Sequence, residues 1–256
     1  EEEHIDTMQV FDMQELYEKL RNGSRSHTSQ INSVAYARFF KELLKEEKPI
    51  LYLAFSSVLS STYQSAILAK EMVLEEYPQA EICIIDSRCA SAGEGLLVYY
   101  MLELLKQGKT QQEVVDWVET YKWRSAHLFT VDDLMFLRDG GRIGSTAAFL
   151  GTMLNIKPVL KMNLKGELIP FLKERSRKKA IRVLFDLCQK SYDNSIKQRI
   201  FIRHADCLED ALFLKELFMA SSLNIESVDI SYVGPIIGSH VGPGTLGLFF
   251  LTKEDR

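Results

Sequence analysis

Short unbroken apolar runs alternate along this chain with longer stretches of helical spacing. Ile50 to Phe55 is apolar without interruption, and such a run bounded by turn residues fits a strand buried on both faces. A serine-rich loop follows, Ser56 to Ser61, and Thr62 opens a helical pattern that reaches Tyr77 before Pro78 breaks it. Ile82 to Ile85 predicts a second buried strand and Ala92 to Lys106 a helix ended by Gly108. Thr110 and Glu113 predict a capping box for a helix to about Trp123. Strand, helix, strand, helix in this order implies parallel strands with right-handed crossovers. Upstream, Val10 to Arg21 and Val34 to Leu44 have helical spacing, separated by Asn22-Gly23 and a polar stretch, Ser24 to Ser33.

The second half reads differently. Ala126 to Val131 predicts a strand. Pro158 to Met162 and Glu167 to Phe171 flank Asn163–Gly166 as a β-hairpin. Helices are predicted over Arg175–Lys190 and Leu208–Met219, and strands over Ile200–His204, Ile225–Tyr232 and Leu246–Leu251. Ser145 to Leu154 looks helical and is almost entirely apolar or small. Gly238 to Gly244 (GSHVGPG) reads as a rigid, close-packed loop that fixes His240. The hairpin makes the second sheet mixed. The expected fold is α/β in two domains, 1–123 and 124–256, the first built on a parallel sheet and the second on a mixed one.

Composition narrows the function classes. The chain has 256 residues, is 46% hydrophobic and carries a net charge of -4, so nothing global favours nucleic acid or an anionic membrane. No apolar run approaches the roughly 20 residues of a membrane span. The start, EEEHIDTMQV, is acidic, has no signal-peptide core and lacks an initiator Met. The four cysteines, Cys83, Cys89, Cys188 and Cys207, form no C-x-x-C motif, and the five histidines are scattered. Reduced thiols in a cytoplasmic protein and no metal site are the expectation.

Several stretches are candidates for chemistry. Ser56, Ser57, Ser60, Ser61 and Thr62 place hydroxyls at the carboxyl end of a predicted parallel strand, where α/β sheets bind ligands. Ser60 and Thr62 are also natural caps for the following helix, and capping is compatible with holding an anion there. Thr28-Ser29-Gln30 taken alone reads as a solvated loop or cap. Arg138 to Gly144 (RDGGRIG) lacks phosphate-loop spacing. It is either a structural turn or one that aims Arg142 at an anion or partner. Lys173 to Arg182 (KERSRKKAIR) is a solvated basic face, a protein docking surface or, least in keeping with the net charge, a nucleic-acid contact.

Read in order, these marks resemble the DegV family of bacterial fatty-acid-binding proteins, which includes the binding subunits of bacterial fatty acid kinase. They are Thr28-Ser29-Gln30, Ser56 to Ala66 (SSVLSSTYQSA), Ile85-Asp86-Ser87, Arg138 to Gly144, Leu154 to Pro158 (LNIKP) and Gly238 to Gly244. The resemblance implies a long-chain fatty acid such as palmitate, stearate or oleate buried between two domains, with no other cofactor. It implies that Thr28 and Ser60 hold the carboxylate with His240 close by, and that Arg142 works with a separate ATP-binding kinase subunit. Ser29, Ser61 and Thr62 would complete the head-group loops. The chain departs from the family pattern in two places. Ser61 stands where the family usually has Gly, and the initial strand with its Asp-Ser-Ser loop is not in the sequence, so the first sheet is expected to lack a strand.

The residues agree with such a ligand. Burying some fourteen methylenes gains about 11 kcal/mol before ordering costs, which calls for an apolar tunnel. Phe149, Leu150, Met153 and Leu154 within Ala147–Leu154, together with Phe129, are the expected lining, although the same pattern also fits a core-packing helix. The carboxylate must keep hydrogen bonds once it leaves water. Hydroxyl donors supply them without a full counter-charge, which suits a head group that is later phosphorylated and exchanged. The expectation is a non-catalytic carrier that presents the head group to a kinase, with transient membrane contact and no stable insertion. The rival is a serine hydrolase or acyltransferase using Ser60, His240 and Asp86, although no G-x-S-x-G elbow is present.

Overall fold

A computed structural model describes residues 12–143 and 156–256. The tunnel candidates Phe149, Leu150, Met153 and Leu154 lie outside the described residues, as does the helix expected over Ser145–Leu154.

The buried run Ile50–Ala54 is β1, and it pairs in parallel with β2 (Ile82–Asp86) in a two-stranded sheet, Leu53 opposite Ile85 and Ala54 opposite Asp86. The crossover is α3 (Thr62–Glu76). One face of the sheet packs on α2 (Ser33–Leu44) and α3 through Phe40, Ala66, Ala69 and Val73. The other packs on α4 (Ser91–Lys106) and α5 (Gln111–Tyr121) through Leu97, Met101, Val114 and Val118. The capping box on Thr110 and Glu113 forms as expected.

The second sheet has six strands, in the order β5-β4-β3-β8-β6-β7. These are β3 (Ser125–Thr130), β4 (Lys157–Met162), β5 (Leu168–Glu174), β6 (Gln198–His204), β7 (Ile225–Tyr232) and β8 (Leu246–Leu251). The predicted hairpin is β4–β5, antiparallel. β6 and β7 are parallel, joined through a helix over Leu208–Met219, and β3 and β6 pair antiparallel with β8 between them. That helix and the one over Arg177–Ser191 cover one face through Ile181, Leu184, Leu214 and Phe218. The opposite face carries His127, Phe129 and Leu160 and meets the first sheet's elements.

Two helices from the first half pack on the larger sheet, and α4 joins the two sheets. Gly93 of α4 lies against the His127 ring, and Ser125 Oγ donates to the Gly93 carbonyl at 2.9 Å. The N-terminal helix α1 (Met13–Arg21) packs with the larger sheet, since Tyr17 and Leu20 share a core cluster with Phe129, Val131 and Leu160.

Two features differ from the sequence expectation. Residues Met135–Asp139 form a short helix, α6, ahead of the glycine turn. The stretch around His240 is not a loop: Pro235–Val241 is helical. Pro235 at the first helical turn has its φ fixed already. Residue 238 is glycine because Tyr17 leaves no room for a side chain, an added Cβ falling 2.5 Å from the tyrosine Oη. Gly242, φ +75°, ends the helix in a left-handed conformation, and Gly244, φ +76°, adopts another. Numbered in chain order, the helices over Arg177–Ser191, Leu208–Met219 and Pro235–Val241 are α7, α8 and α9.

Candidate functional site

The Ser60 loop leaves β1 at the carboxyl edge of the parallel sheet. Ser56 is buried, and its hydroxyl donates to the Gly166 carbonyl in the β4–β5 turn at 3.2 Å, so this serine ties the two sheets together. Ser57 N–H and Arg88 N–H both donate to Asp86 Oδ1, at 3.2 and 3.0 Å, so Asp86 organises the loop ends. Ser61 is the N-cap of α3, is exposed and makes no side-chain cap bond. Thr62 is the first helical residue. Its backbone N–H donates to Ser60 Oγ at 3.2 Å, and the two hydroxyls lie 2.7 Å apart. With Thr62 Oγ1 donating in that pair, the Ser60 proton is left to point at a ligand.

Thr28 and His240 meet directly. Thr28 Oγ1 lies 2.7 Å from His240 Nε2 across 212 residues of chain. The other ring nitrogen, Nδ1, is buried with no hydrogen-bond partner among the described residues. It faces Gly140, where an added Cβ would fall 2.5 Å away. A buried N–H without an acceptor is costlier and rarer than an unpaired acceptor. The proton therefore belongs on Nε2, which donates to Thr28 Oγ1 and leaves the Thr28 hydroxyl free to donate outward. Burial, then the neighbouring Arg142 charge, hold the His240 pKa below its ordinary value, so the ring is neutral at pH 7.

Arg142 links this pair to the Ser60 loop. Its Nε donates to the Leu59 carbonyl at 3.2 Å, and its other guanidinium bond goes to the Gly140 carbonyl at 2.5 Å. The side chain is half-buried beside His240, inside the site and not on an outlying surface. Leu59 begins an apolar patch with Ala90 and Met162, against which Phe55 and Leu168 pack between the two sheets. Phe129 is buried in the adjoining cluster with Leu160, Leu137 and Val241. Ser29, next to Thr28, is exposed.

The arrangement does not assemble a hydrolytic triad. His240 Nε2 is engaged by Thr28, Ser60 by Thr62, and Asp86 by backbone N–H groups. What it offers is two outward-facing hydroxyl donors, a neutral imidazole and a guanidinium at the mouth of an apolar patch. That suits binding a carboxylate whose tail is apolar. Among the described residues no group of His, Cys, Asp and Glu could hold a metal ion, and no helix is long and apolar enough to cross a membrane.

A family model described as an uncharacterised DegV family protein matches residues 1–253. The chain belongs to the DegV family. A DegV domain-containing protein of Clostridium perfringens is 48% identical over 240 residues, 93% of this chain and 82% of the relative. A Thermus thermophilus DegV family structure described as fatty acid binding superposes with a TM-score of 0.84 at 32% identity, covering 95% of this chain and 85% of that one. A Thermotoga maritima DegV structure described as lipid binding gives 0.82 at 29% identity, covering 96% and 84%. These two solved DegV structures share this mixed α/β fold over nearly the whole chain.

Sequence reasoning missed the residues that hold the site in shape. Gly140 and Gly238 make room for His240 and Tyr17, and His127 pins α4 to β3. The glycine pair in RDGGRIG was a visible signal for Gly140. Nothing in local sequence marks Tyr17 or His127.

Proposed function

We propose that this DegV family chain binds a long-chain fatty acid, with the carboxylate at Thr28, Ser60 and His240 and the tail between the two sheet units. Those units correspond to domains that divide near Trp123. The observation that carries the reading is the Thr28–His240 contact, which brings together two motifs from opposite ends of the chain and orients a free hydroxyl proton. The fatty-acid-binding and lipid-binding descriptions of the T. thermophilus and T. maritima relatives support it. Phe129, with the neighbouring Leu59 and Met162, supplies apolar wall where the tail would leave the head group. Ser29, Ser61 and Thr62 shape the loops around it.

The carrier then presents the head group to a separate kinase subunit, which brings ATP, and the acyl phosphate forms at this site. Arg142 serves the second step: held by the Leu59 and Gly140 carbonyls, it offers positive charge where the transferred phosphoryl group would sit. The protein works in the cytoplasm and meets membranes only transiently. The decisive experiment is native mass spectrometry of the protein purified from bacteria. A co-purified fatty acid is expected at one per chain, and only empty protein would overturn the proposal. The Arg142→Ala variant tests the second step: it is expected to keep lipid and lose phosphorylation by the kinase.

A further inference from the structure

A cavity of about 300 Å³ opens beside the start of β3 and the end of β8. Ala126–Leu128 of β3 enter it, and Met162, which also packs with Leu59 and Ala90, lines it from β4. Its apolar floor is Leu128, Met162, Phe171, Leu187 and Phe250. Four cations line it: Lys161, Lys190, Lys253 and Arg256. Lys161 Nζ sits 4.4 Å from the centre of the Phe171 ring, its one side-chain interaction among the described residues. Neither Lys190 nor Lys253 pairs with a carboxylate among the described residues, although Glu254 and Asp255 also line the space. The Arg256 guanidinium reaches backbone carbonyls of Lys122, Ser125 and Arg88, and its buried Nε has no partner among the described residues.

Four cations against the carboxylates of Glu254 and Asp255 leave the lining net positive, which favours an anion beside the apolar surface. An aromatic ring already engaged by a lysine, beside an apolar floor, favours a ligand with an apolar body. The geometry points to a second binding site here, for a small amphipathic anion: one ring or a short chain bearing a carboxylate or a phosphate ester. The volume stands at the lower end of small-molecule pockets, so this is no second tunnel for a long acyl chain. The site goes beyond the fatty acid proposal and stands whether or not that proposal holds.

The test is calorimetric titration of 1-naphthyl phosphate, 1-naphthoate and neutral 1-naphthalenemethanol into the protein, with and without bound palmitate. At least one anion is expected to bind saturably at one site and to persist with palmitate present, and the preferred anion identifies the ligand class. Lys190→Glu, at an exposed position, is expected to weaken that anion by about tenfold while leaving palmitate binding and thermal stability unchanged. Failure of both anions to saturate, equal binding of the neutral alcohol, displacement by palmitate, or unchanged binding in Lys190→Glu would each overturn the assignment.

Discussion

Two histidines on the same side of the six-stranded sheet are held in opposite ways. His127 has both nitrogens satisfied by backbone: Ala90 N–H donates to Nε2 at 3.0 Å, and Nδ1–H donates to the Ser125 carbonyl at 2.9 Å. Its ring is buried against Gly93 and edge-on to Phe249. Burial, with a further push from Arg256, holds its pKa down at about 3. His240 also packs against a glycine, but among the described residues only Nε2 is engaged, and by a side chain. A histidine that spends every polar atom on backbone is a joint. One that keeps a hydroxyl partner free to donate is part of a site. Neither role could be assigned by counting histidines.

The contrast can be broken most forcefully at the two glycines. Gly93→Val should destabilise the protein by about 3 kcal/mol or more, since even a Cβ there would fall 2.0 Å from His127 Nε2. Denaturant unfolding measures this, and a loss below about 0.5 kcal/mol would remove His127 as a joint. Acid should reveal the same residue. The His127 pKa is about 3 in the fold and about 6.5 when unfolded. The unfolded chain therefore takes up the proton first, and stability should fall as pH drops from about 6.5 toward 3. Nuclear magnetic resonance titration of the ring should show it neutral at pH 5, and a protonated ring there would contradict this account.

Effects at the other histidine should appear in binding more than in stability. Gly140→Ala pushes His240 away from Thr28, and fatty acid affinity should drop by at least about tenfold in calorimetry. Thr28→Val removes the proposed donor but keeps the shape, at a cost of about 1–3 kcal/mol in binding. Unchanged affinity would take Thr28 out of the site. Ser60→Ala should cost about 1 kcal/mol, because the Thr62 hydroxyl remains beside it. Ser61→Gly, which restores the usual family residue, should change stability and affinity by only a few tenths of a kcal/mol, since Ser61 is exposed and caps nothing with its side chain.

The parts of the site that were legible in sequence are those made by near neighbours. Ser60 and Thr62 interact two residues apart, and the Thr110–Glu113 box spans three. Such contacts follow from chain geometry at fixed spacing, so a motif carries them. The stretch around His240 reads in sequence as a rigid loop because three glycines and a proline crowd it, whereas Pro235–Val241 is helical. Gly238 is the space kept for the Tyr17 ring, which a helix from the start of the chain supplies. The basic run over Lys173–Arg182 likewise changed meaning: Arg177 is bound to Asp210 and the Gly244 carbonyl, and Arg182 stacks on Phe213. That leaves a partly structural surface in place of a uniform basic face.

By itself the sequence determined the strands, most helices, the mixed character of the second sheet and the family, because apolar periodicity, caps and ordered motifs are local signals. Only the tertiary structure decided that Thr28 meets His240, that Arg142 faces inward beside them, and which glycines are spaces kept for a ring. Those facts depend on how α4 and the loops pack the smaller sheet against the larger one. No spacing along the chain encodes the distance between residues that the packing brings together.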